Sequence, residues 1–243
     1  LRNPPDGQKI ERVVCVGRPT LARPVQILLS QNDIEHVVWQ RNEPEPSNLS
    51  GAARIVDHIQ VSRMATEAEA RLWVSPWVTA SRRHLEEKVA GVEPPAPDLA
   101  ALASEMVTDR ARFAAQEMSV VRRAISRADI AREVWAHTWP NDQLILGSSR
   151  MIREFDSLVP GKKISVWSNR GLSGIDGTIA TARGFASSRS RSGLSGATRV
   201  VLGDLALLHD AGSLLVQESE RNSSRLHVIV VTDGGGSLFD SLE

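Results

Sequence analysis

The sequence predicts an α/β fold in which parallel sheets are flanked by helices. Short β-branched apolar runs alternate with helical segments along the chain, and several of these runs end directly in Asp, Ser or Gly. Alternation of this kind favours parallel strands joined by crossover helices. Since the carboxyl ends of parallel strands border the ligand crevice, we expect any binding site at the loops that follow the strands.

The first part of the chain has the pattern of one small parallel sheet. The predicted elements are strands at residues 12–17, 36–40 and 55–61, a crossover helix at 22–31 and a long helix at 66–90. The long helix opens with a capping pattern, Thr66 followed by Glu69. Residues 92–99 are rich in proline and predict a linker. We therefore expect two domains, at residues 1–94 and 95–243.

The second part begins with residues 98–137, which lack Gly and Pro and predict two or three helices. A regular β/α alternation follows. Its predicted elements are strands at residues 143–147, 163–167, 199–202 and 226–231 and helices at 174–185 and 207–217. We expect the loops after all four strands to lie on one edge of the sheet.

Composition excludes several classes of protein. The chain has 243 residues with 29 basic and 29 acidic side chains, so it has no basic excess for holding nucleic acid. Residues 187–193 alternate Ser and Arg without aromatic residues, which predicts a surface loop. Cys15 is the single cysteine and lies in an apolar run, which predicts a buried thiol and a cytoplasmic setting. No apolar run is long enough for a membrane span.

Two acidic motifs follow apolar runs directly and predict a metal site. Gly203-Asp204-Leu205 comes after the third strand of the second part, and Asp233-Gly234-Gly235 comes after the fourth. Two carboxylates at neighbouring strand ends could hold one divalent ion and the phosphate that accompanies it. The alternative is that each Asp caps the helix after its strand.

Other residues near the same edge could bind anions. The glycine-rich turn at residues 169–177 could present backbone N–H groups to an anion, or could serve only tight packing. It lacks the spacing of a nicotinamide dinucleotide site. Arg153 and Arg170 could clamp carboxylates, or could be solvated. The six histidines show no metal-binding spacing, so no zinc site is predicted.

Four ordered motifs together resemble one enzyme family. They are residues 146–153, 168–178, 203–210 and 232–239. The family is the thiamine-diphosphate-dependent 2-succinyl-5-enolpyruvyl-6-hydroxy-3-cyclohexene-1-carboxylate synthase of menaquinone biosynthesis, and residues 17–24 resemble the middle domain of its actinobacterial members. The resemblance implies that residues 1–94 are the second part of that middle domain. Residues 95–243 would be the diphosphate-binding domain, incomplete at its C-terminal end.

The resemblance also implies a set of site residues, with thiamine diphosphate and Mg²⁺ or Mn²⁺ as cofactors. The implied metal ligands are Asp204, Asp233 and the carbonyl of Gly235. The implied cofactor-binding residues are Ile175, Gly203, Asp204, Leu205, Gly235 and Ser237. The implied substrate-binding residues are Ser149, Arg153, Arg170, Leu238 and Phe239. Thr232-Asp233 stands where the wider thiamine-enzyme pattern has two Asn residues, so one metal ligand would be anionic.

The implied reaction is the decarboxylation of 2-oxoglutarate and the conjugate addition of its succinyl unit to isochorismate. Members of the family are homo-oligomers, dimers or tetramers, because their cofactor lies between two subunits. The glutamate that activates the cofactor belongs to a pyrimidine-binding domain that this chain lacks. We therefore assign no catalytic residue here and expect the chain alone to be inactive.

Two alternatives stay open. The first is another thiamine-diphosphate enzyme, such as an acetolactate-synthase-like member, which would consume pyruvate rather than 2-oxoglutarate. Those enzymes prefer Gly-Asp-Gly, whereas Leu205 and the pair Arg153 and Arg170 favour acidic substrates. The second is a non-catalytic α/β binding module.

Overall fold

The structure is a computed structural model that describes residues 10–17, 19, 21–40, 48, 51–169, 175–215 and 225–235. The chain divides into two compact units, Leu1–Glu86 and Glu87–Glu243. Each unit contains one parallel sheet with helices packed against it, so the predicted α/β fold is confirmed. Among the described residues, no helix combines the length and the apolar composition that crossing a membrane requires.

The first unit contains a three-stranded parallel sheet in the order β1-β2-β3. Its elements are β1 (Arg12–Val16), α1 (Arg23–Leu29), β2 (Glu35–Trp39), β3 (Arg54–Val56) and the start of α2 (Glu67–Ala90). The prediction of a strand over residues 55–61 is wrong in extent, because β3 ends at Val56. That residue pairs with Trp39, the last residue of β2, so the following residues have no backbone partner there and lie exposed.

Cys15 is buried, as predicted, and its Sγ lies 3.3 Å from Nε2 of His36 in the core of the first unit. Burial raises the pKa of the Cys15 thiol and lowers the pKa of the His36 imidazole. Both side chains are therefore uncharged at neutral pH. The pair is a structural hydrogen bond rather than an activated thiol.

Helix α2 begins with the predicted cap. Oε2 of Glu69 accepts hydrogen bonds from the N–H and the hydroxyl of Thr66, at 2.8 and 3.0 Å, and the Glu69 N–H donates to Thr66 Oγ1. Arg63 also donates to the Glu69 carboxylate and, with Thr66, lowers the pKa of Glu69 to about 2. Pro76 lies inside this helix, not at its start.

The second unit contains a four-stranded parallel sheet in the order β5-β4-β6-β7. Its strands are β4 (Gln143–Leu146), β5 (Ser165–Trp167), β6 (Thr198–Gly203) and β7 (Leu226–Val231). Its helices are α3 (Leu99–Ala103), α4 (Val107–Val121), α5 (Arg127–Ala136), α6 (Arg150–Leu158), α7 (Thr178–Arg191) and α8 (Asp204–His209), with a short 3₁₀ helix at Ala211–Leu214. Both faces of the sheet are covered by helices.

Alternation along β4 and β6 builds the two halves of this core. Leu144, Leu146 and Val201 point to the face where α5 and α6 pack, and their neighbours there are Met151 and Phe155. The intervening residues Ile145, Val200 and Leu202 point to the opposite face, where they meet Ile179, Ala182 and Ala206. Strands buried on both faces explain the uninterrupted apolar runs in the sequence.

The structure corrects two predictions for the second unit and adds one helix that was not predicted. Helix α6 was not predicted, although its buried residues Met151, Phe155 and Leu158 follow helical spacing. The predicted surface loop at residues 187–193 is wrong, because α7 continues to Arg191 and buries Ala186. Helix α8 begins at Asp204, directly after β6, and ends at His209, so the prediction of a helix over residues 207–217 was misplaced.

Candidate functional site

The strand order places a crevice at the carboxyl edge of the second sheet. From β4 the chain moves outward to β5, and from β6 it moves outward in the other direction to β7. Ligands of open α/β sheets bind at such a switch point, here between the ends of β4 and β6. Because all four strands are parallel, the described residues that follow them lie on this one edge, as predicted.

The pairing register brings the two acidic motifs together. Gly203, the last residue of β6, pairs with Val231, the last residue of β7. Asp204 and Thr232 therefore leave the sheet side by side, and the Thr232 hydroxyl donates to Oδ2 of Asp204 at 3.4 Å. Asp233 is the next residue along the chain. The edge thus carries two carboxylates from adjacent strands.

The helix-cap alternative applies in part to Asp204, and for Asp233 it stays open, because the residues after Gly235 lie outside the described residues. Asp204 is the first residue of α8, and its Oδ1 accepts the Leu205 N–H at 2.8 Å. Its second oxygen is the one that faces Thr232. Asp233 follows β7 and forms an ion pair with Arg127, with 2.6 Å between Nη2 and Oδ2. Both oxygens of Asp204 thus accept hydrogen bonds, and Oδ2 of Asp233 accepts from Arg127.

The loop after β7 needs two glycines. Gly234 has φ 97° and Gly235 has φ 117°, values in the region that favours glycine over residues with a Cβ atom. Glycine at both positions lets the chain turn sharply after Asp233 and keeps the Gly235 backbone at the same edge. The Gly235 carbonyl, an implied metal ligand, therefore belongs to this turn.

The donor set suits a hard divalent cation. Two carboxylates and one backbone carbonyl offer only oxygen, which Mg²⁺ and Mn²⁺ prefer. Within the described ranges there is no group of three or more His, Cys, Asp or Glu side chains able to hold a metal ion without other ligands. A site of two carboxylates needs further oxygens, which a diphosphate group would supply. The residues present therefore fit a metal that is held together with a diphosphate.

Ser149 lies at the crevice. It caps α6, where its Oγ accepts the Met151 N–H at 3.2 Å. A Cβ atom placed on Gly203 would stand 3.9 Å from the Ser149 Cβ, so the ends of β4 and β6 approach closely at this point. Arg153 follows one turn later on α6 and is exposed. The structure thus brings Ser149, Gly203 and Asp204 together, with Arg153 on the helix that Ser149 caps.

Four predicted site residues lie outside the described residues. They are Arg170, Ser237, Leu238 and Phe239. Ile175 is described, is partly buried and packs against the core cluster on the α7 side of the sheet. Leu205 is in the first turn of α8, next to Asp204.

The N-terminus of α7 is occupied by the chain itself. Oδ2 of Asp210 accepts the N–H groups of Ile179 and Ala180 at 2.6 and 3.1 Å. Asn169 donates to the carbonyl of Gly177 at 3.1 Å and to the Thr181 hydroxyl at 3.0 Å. The amides of Ile179 and Ala180 are thus taken by Asp210. Residues 170–174 of the glycine-rich turn lie outside the described residues, so anion binding by that turn stays a prediction. Sequence reasoning missed this role of Asp210, whose only signal is its place in the 203–210 motif.

A cleft of about 620 Å³ opens beside Asp233. Its polar lining is Arg123, Ser126, Arg127, Glu154, Thr232 and Asp233. Sequence reasoning also missed Arg127. The one local signal is its position as the first residue of α5, because a basic side chain at a helix N-terminus is disfavoured by the helix dipole.

A capping box fixes the start of α5 beside this cleft. The Ser126 hydroxyl accepts the Asp129 N–H, and the Asp129 carboxylate accepts the Ser126 N–H at 2.8 Å. Burial alone would raise the pKa of Asp129, but hydrogen bonds from Arg123 and Ser126 and the charge of Arg123 lower it to about 2. The carboxylate is therefore ionised at neutral pH and holds the backbone of Arg127 in place.

Replacing Asp129 with Asn is expected to lower the free energy of unfolding by about 1 kcal/mol at pH 7. A carboxylate whose pKa is lowered on folding stabilises the fold above its unfolded pKa, and this contribution disappears as the pH falls through the folded pKa. The difference between wild type and variant should thus shrink from about pH 4 towards pH 2. Urea unfolding at several pH values checks this, and a difference that does not change with pH would contradict it.

Comparison with known proteins finds synthases that are similar to this chain along its whole length. No protein-family model matches the chain. A relative from Leifsonia xyli subsp. xyli is 48% identical across the whole chain, which covers 42% of that relative. A relative from Clavibacter michiganensis is 42% identical across the whole chain, and one from Arthrobacter is 33% identical across 99% of it. All three are 2-succinyl-5-enolpyruvyl-6-hydroxy-3-cyclohexene-1-carboxylate synthases. The predicted resemblance to this synthase family is confirmed.

The similarity to the synthase family covers both units of the chain. The chain spans 42%, 41% and 35% of the lengths of these three synthases, well under half of each. The matched region therefore includes the whole carboxyl edge of the second sheet.

Proposed function

We propose that this chain is the part of a 2-succinyl-5-enolpyruvyl-6-hydroxy-3-cyclohexene-1-carboxylate synthase that holds thiamine diphosphate through a divalent metal. The observation that carries the proposal is the register of Gly203 with Val231, which sets Asp204 beside Thr232, the residue before Asp233. The identity of 48% with a synthase of that name supports it. Residues 1–94 would then be the second part of the middle domain and residues 95–243 the diphosphate-binding domain.

In this proposal the carboxyl edge of the second sheet binds the cofactor. Asp204, Asp233 and the Gly235 carbonyl hold Mg²⁺ or Mn²⁺, while Gly203, Leu205 and Ser237 line the diphosphate. Ile175 supports the cofactor from the α7 side, where its packing against the core makes it a firm apolar surface. Thiamine diphosphate, when bound, supplies the electron sink that the decarboxylation of a 2-oxo acid needs.

The proposed substrate-binding residues have side chains whose chemistry suits the two substrates. 2-Oxoglutarate and isochorismate both carry carboxylates, which Arg153 and Arg170 bind and orient through paired N–H donors. Ser149 stands at the switch point with its hydroxyl held by the α6 cap. Leu238 and Phe239, which lie outside the described residues, would contribute apolar side chains that exclude water from the reacting groups. The whole protein would decarboxylate 2-oxoglutarate and add the succinyl unit to isochorismate.

The proposal includes a homo-oligomer, either a dimer or a tetramer. In the synthase family the cofactor lies between the diphosphate domain of one subunit and the pyrimidine domain of another. The residues at the edge described here therefore bind and orient, while the proton-transferring glutamate belongs to the other domain. Consumption of 2-oxoglutarate rather than pyruvate by the whole protein would separate this function from that of an acetolactate-synthase-like enzyme.

Calorimetric titration with thiamine diphosphate tests the proposed metal site at Asp204, Asp233 and Gly235. Binding to the chain is expected to require Mg²⁺, and Asp204→Ala is expected to weaken it by about 100-fold or more, because losing a residue that only orients a metal ligand already costs about 10- to 100-fold. Asp156→Ala, an exposed position on α6, makes the same chemical change and should bind as wild type does. Binding that is independent of Mg²⁺, or equal in wild type and Asp204→Ala, would contradict the proposal.

A further inference from the structure

Asp233 already has a cationic partner. Arg127, the first residue of α5, reaches the loop after β7 and donates from Nη2 to Oδ2 of Asp233 at 2.6 Å. The two side chains are 30% and 29% exposed, so the ion pair is largely shielded from solvent. The charge of this proposed metal ligand is therefore balanced by the chain's own guanidinium.

Arg127 and Arg123 pair with different carboxylates. Arg123 lines the same cleft, but its Nη2 donates to Asp129 at 2.7 Å. The capping box of Ser126 and Asp129 holds the α5 N-terminus, and with it the backbone of Arg127, in a fixed place. Each arginine thus serves a different carboxylate, which makes Arg123 a matched control for Arg127.

A divalent cation and the Arg127 guanidinium compete at Asp233. A metal ligand oxygen stands about 2.1 Å from Mg²⁺, and two cations on one carboxylate repel strongly in a partly buried site. The guanidinium has space to turn into, because Arg127 lines the cleft of about 620 Å³ beside Asp233. At Asp204 the hydrogen-bond donors are uncharged, namely the Thr232 hydroxyl and the Leu205 N–H.

We propose that Arg127 is a built-in counter-ion that occupies Asp233 until a divalent cation displaces it. This inference rests on the proposed role of Asp233 as a metal ligand. Arg127 keeps the carboxylate neutralised and in position before the metal binds, and it lowers the affinity for the metal. Metal binding then releases a guanidinium into the cleft. Arg127 is a positioning residue, since it acts through Asp233.

Mn²⁺ binding to the 243-residue chain tests this, with free Mn²⁺ measured by electron paramagnetic resonance. Arg127→Gln removes the competing charge and should tighten Mn²⁺ binding by about tenfold, whereas Arg127→Lys keeps a charge and should stay near wild type. Arg123→Gln should also stay near wild type. Asp233→Ala, which removes the ligand oxygen, should weaken binding whether Arg127 or Gln is present at position 127.

The possible results separate the two proposals. If Asp233→Ala binds Mn²⁺ as wild type does, Asp233 is not a ligand and both proposals about it fail. If Asp233→Ala weakens binding but Arg127→Gln equals wild type, only the competition is overturned. Arg127→Met, a second neutral variant, should repeat the Gln result, and circular dichroism should show an unchanged fold. No saturable Mn²⁺ binding to either neutral variant also overturns the inference.

Discussion

Asp142→Ala is expected to destabilise the second unit by about 3 kcal/mol or more, the usual cost of removing one partner from a buried ion pair. Asp142 is 5% exposed and precedes β4. Its carboxylate accepts the Ala197 N–H at 2.7 Å, the Trp139 N–H at 2.8 Å and Nη1 of Arg199 at 2.6 Å. The Arg199 side chain is only 16% exposed. The variant therefore leaves a largely buried guanidinium without the Asp142 carboxylate that balances its charge.

Urea unfolding checks this prediction, with Asp156→Ala as the control. Asp156 is exposed on α6, so its loss should change the free energy of unfolding by less than about 0.5 kcal/mol. Similar unfolding midpoints for the two variants would show that the Asp142 network contributes little.

The contribution of Asp142 should also depend on pH. Burial alone would raise the pKa of Asp142, but the hydrogen bonds from Ala197, Trp139 and Arg199 and the Arg199 charge lower it below its ordinary value. A lowered folded pKa means that the stabilisation is complete above the unfolded pKa, about 4, and is lost as the pH falls through the folded value. The difference between wild type and Asp142→Ala should therefore be constant from pH 7 to 5 and shrink in more acidic solution.

Gly196→Ala is expected to cost about 3 kcal/mol, because it combines backbone strain with a steric overlap. Gly196 precedes β6 and has φ 103°. A Cβ atom there would overlap the backbone carbonyl of Asn141, which cannot move as a flexible side chain does. The strand entrance must therefore shift, and with it the buried contact between the Ala197 N–H and Asp142.

Gly184→Ala is the matched control for Gly196→Ala. Gly184 lies in the middle of α7, and a Cβ atom there meets nothing within 4 Å. Alanine should stabilise an exposed helix position relative to glycine by about 1 kcal/mol. The midpoint temperature of thermal unfolding should therefore fall for Gly196→Ala and rise for Gly184→Ala. A Gly196→Ala variant as stable as wild type would mean that the loop before β6 relaxes freely.

Much of the fold follows from local patterns. The apolar runs around Val38, Ile145 and Val200 predicted strands because β-branched side chains suit a sheet that is buried on both faces. Helix α6 escaped prediction because it is short and its residues Arg150–Leu158 mix charged and apolar side chains. The end of β3 was also not predicted, because a strand ends where the neighbouring strand no longer pairs with it.

The sequence predicted which types of residue stand at the candidate site, but it predicted only some of the contacts between them. Asp204 and Asp233 were found because acidic residues follow two apolar runs directly, and that order is visible in the sequence. The partner of Asp233, Arg127, lies 106 positions away and belongs to a helix whose start shows no functional motif. Asp210 likewise meets Ile179 and Ala180 from 31 and 30 positions away.

The sequence by itself determined that the chain is α/β, which segments are strands, and that its acidic and glycine motifs stand at strand ends. These properties depend on side chains within a few residues of one another. They can therefore be read from the local spacing of residues in the sequence. Only the tertiary structure decided that β6 lies between β4 and β7, and that Arg127 balances Asp233. Strand order, register and ion pairing arise from packing between distant segments, and many arrangements of the same local elements satisfy the same local preferences.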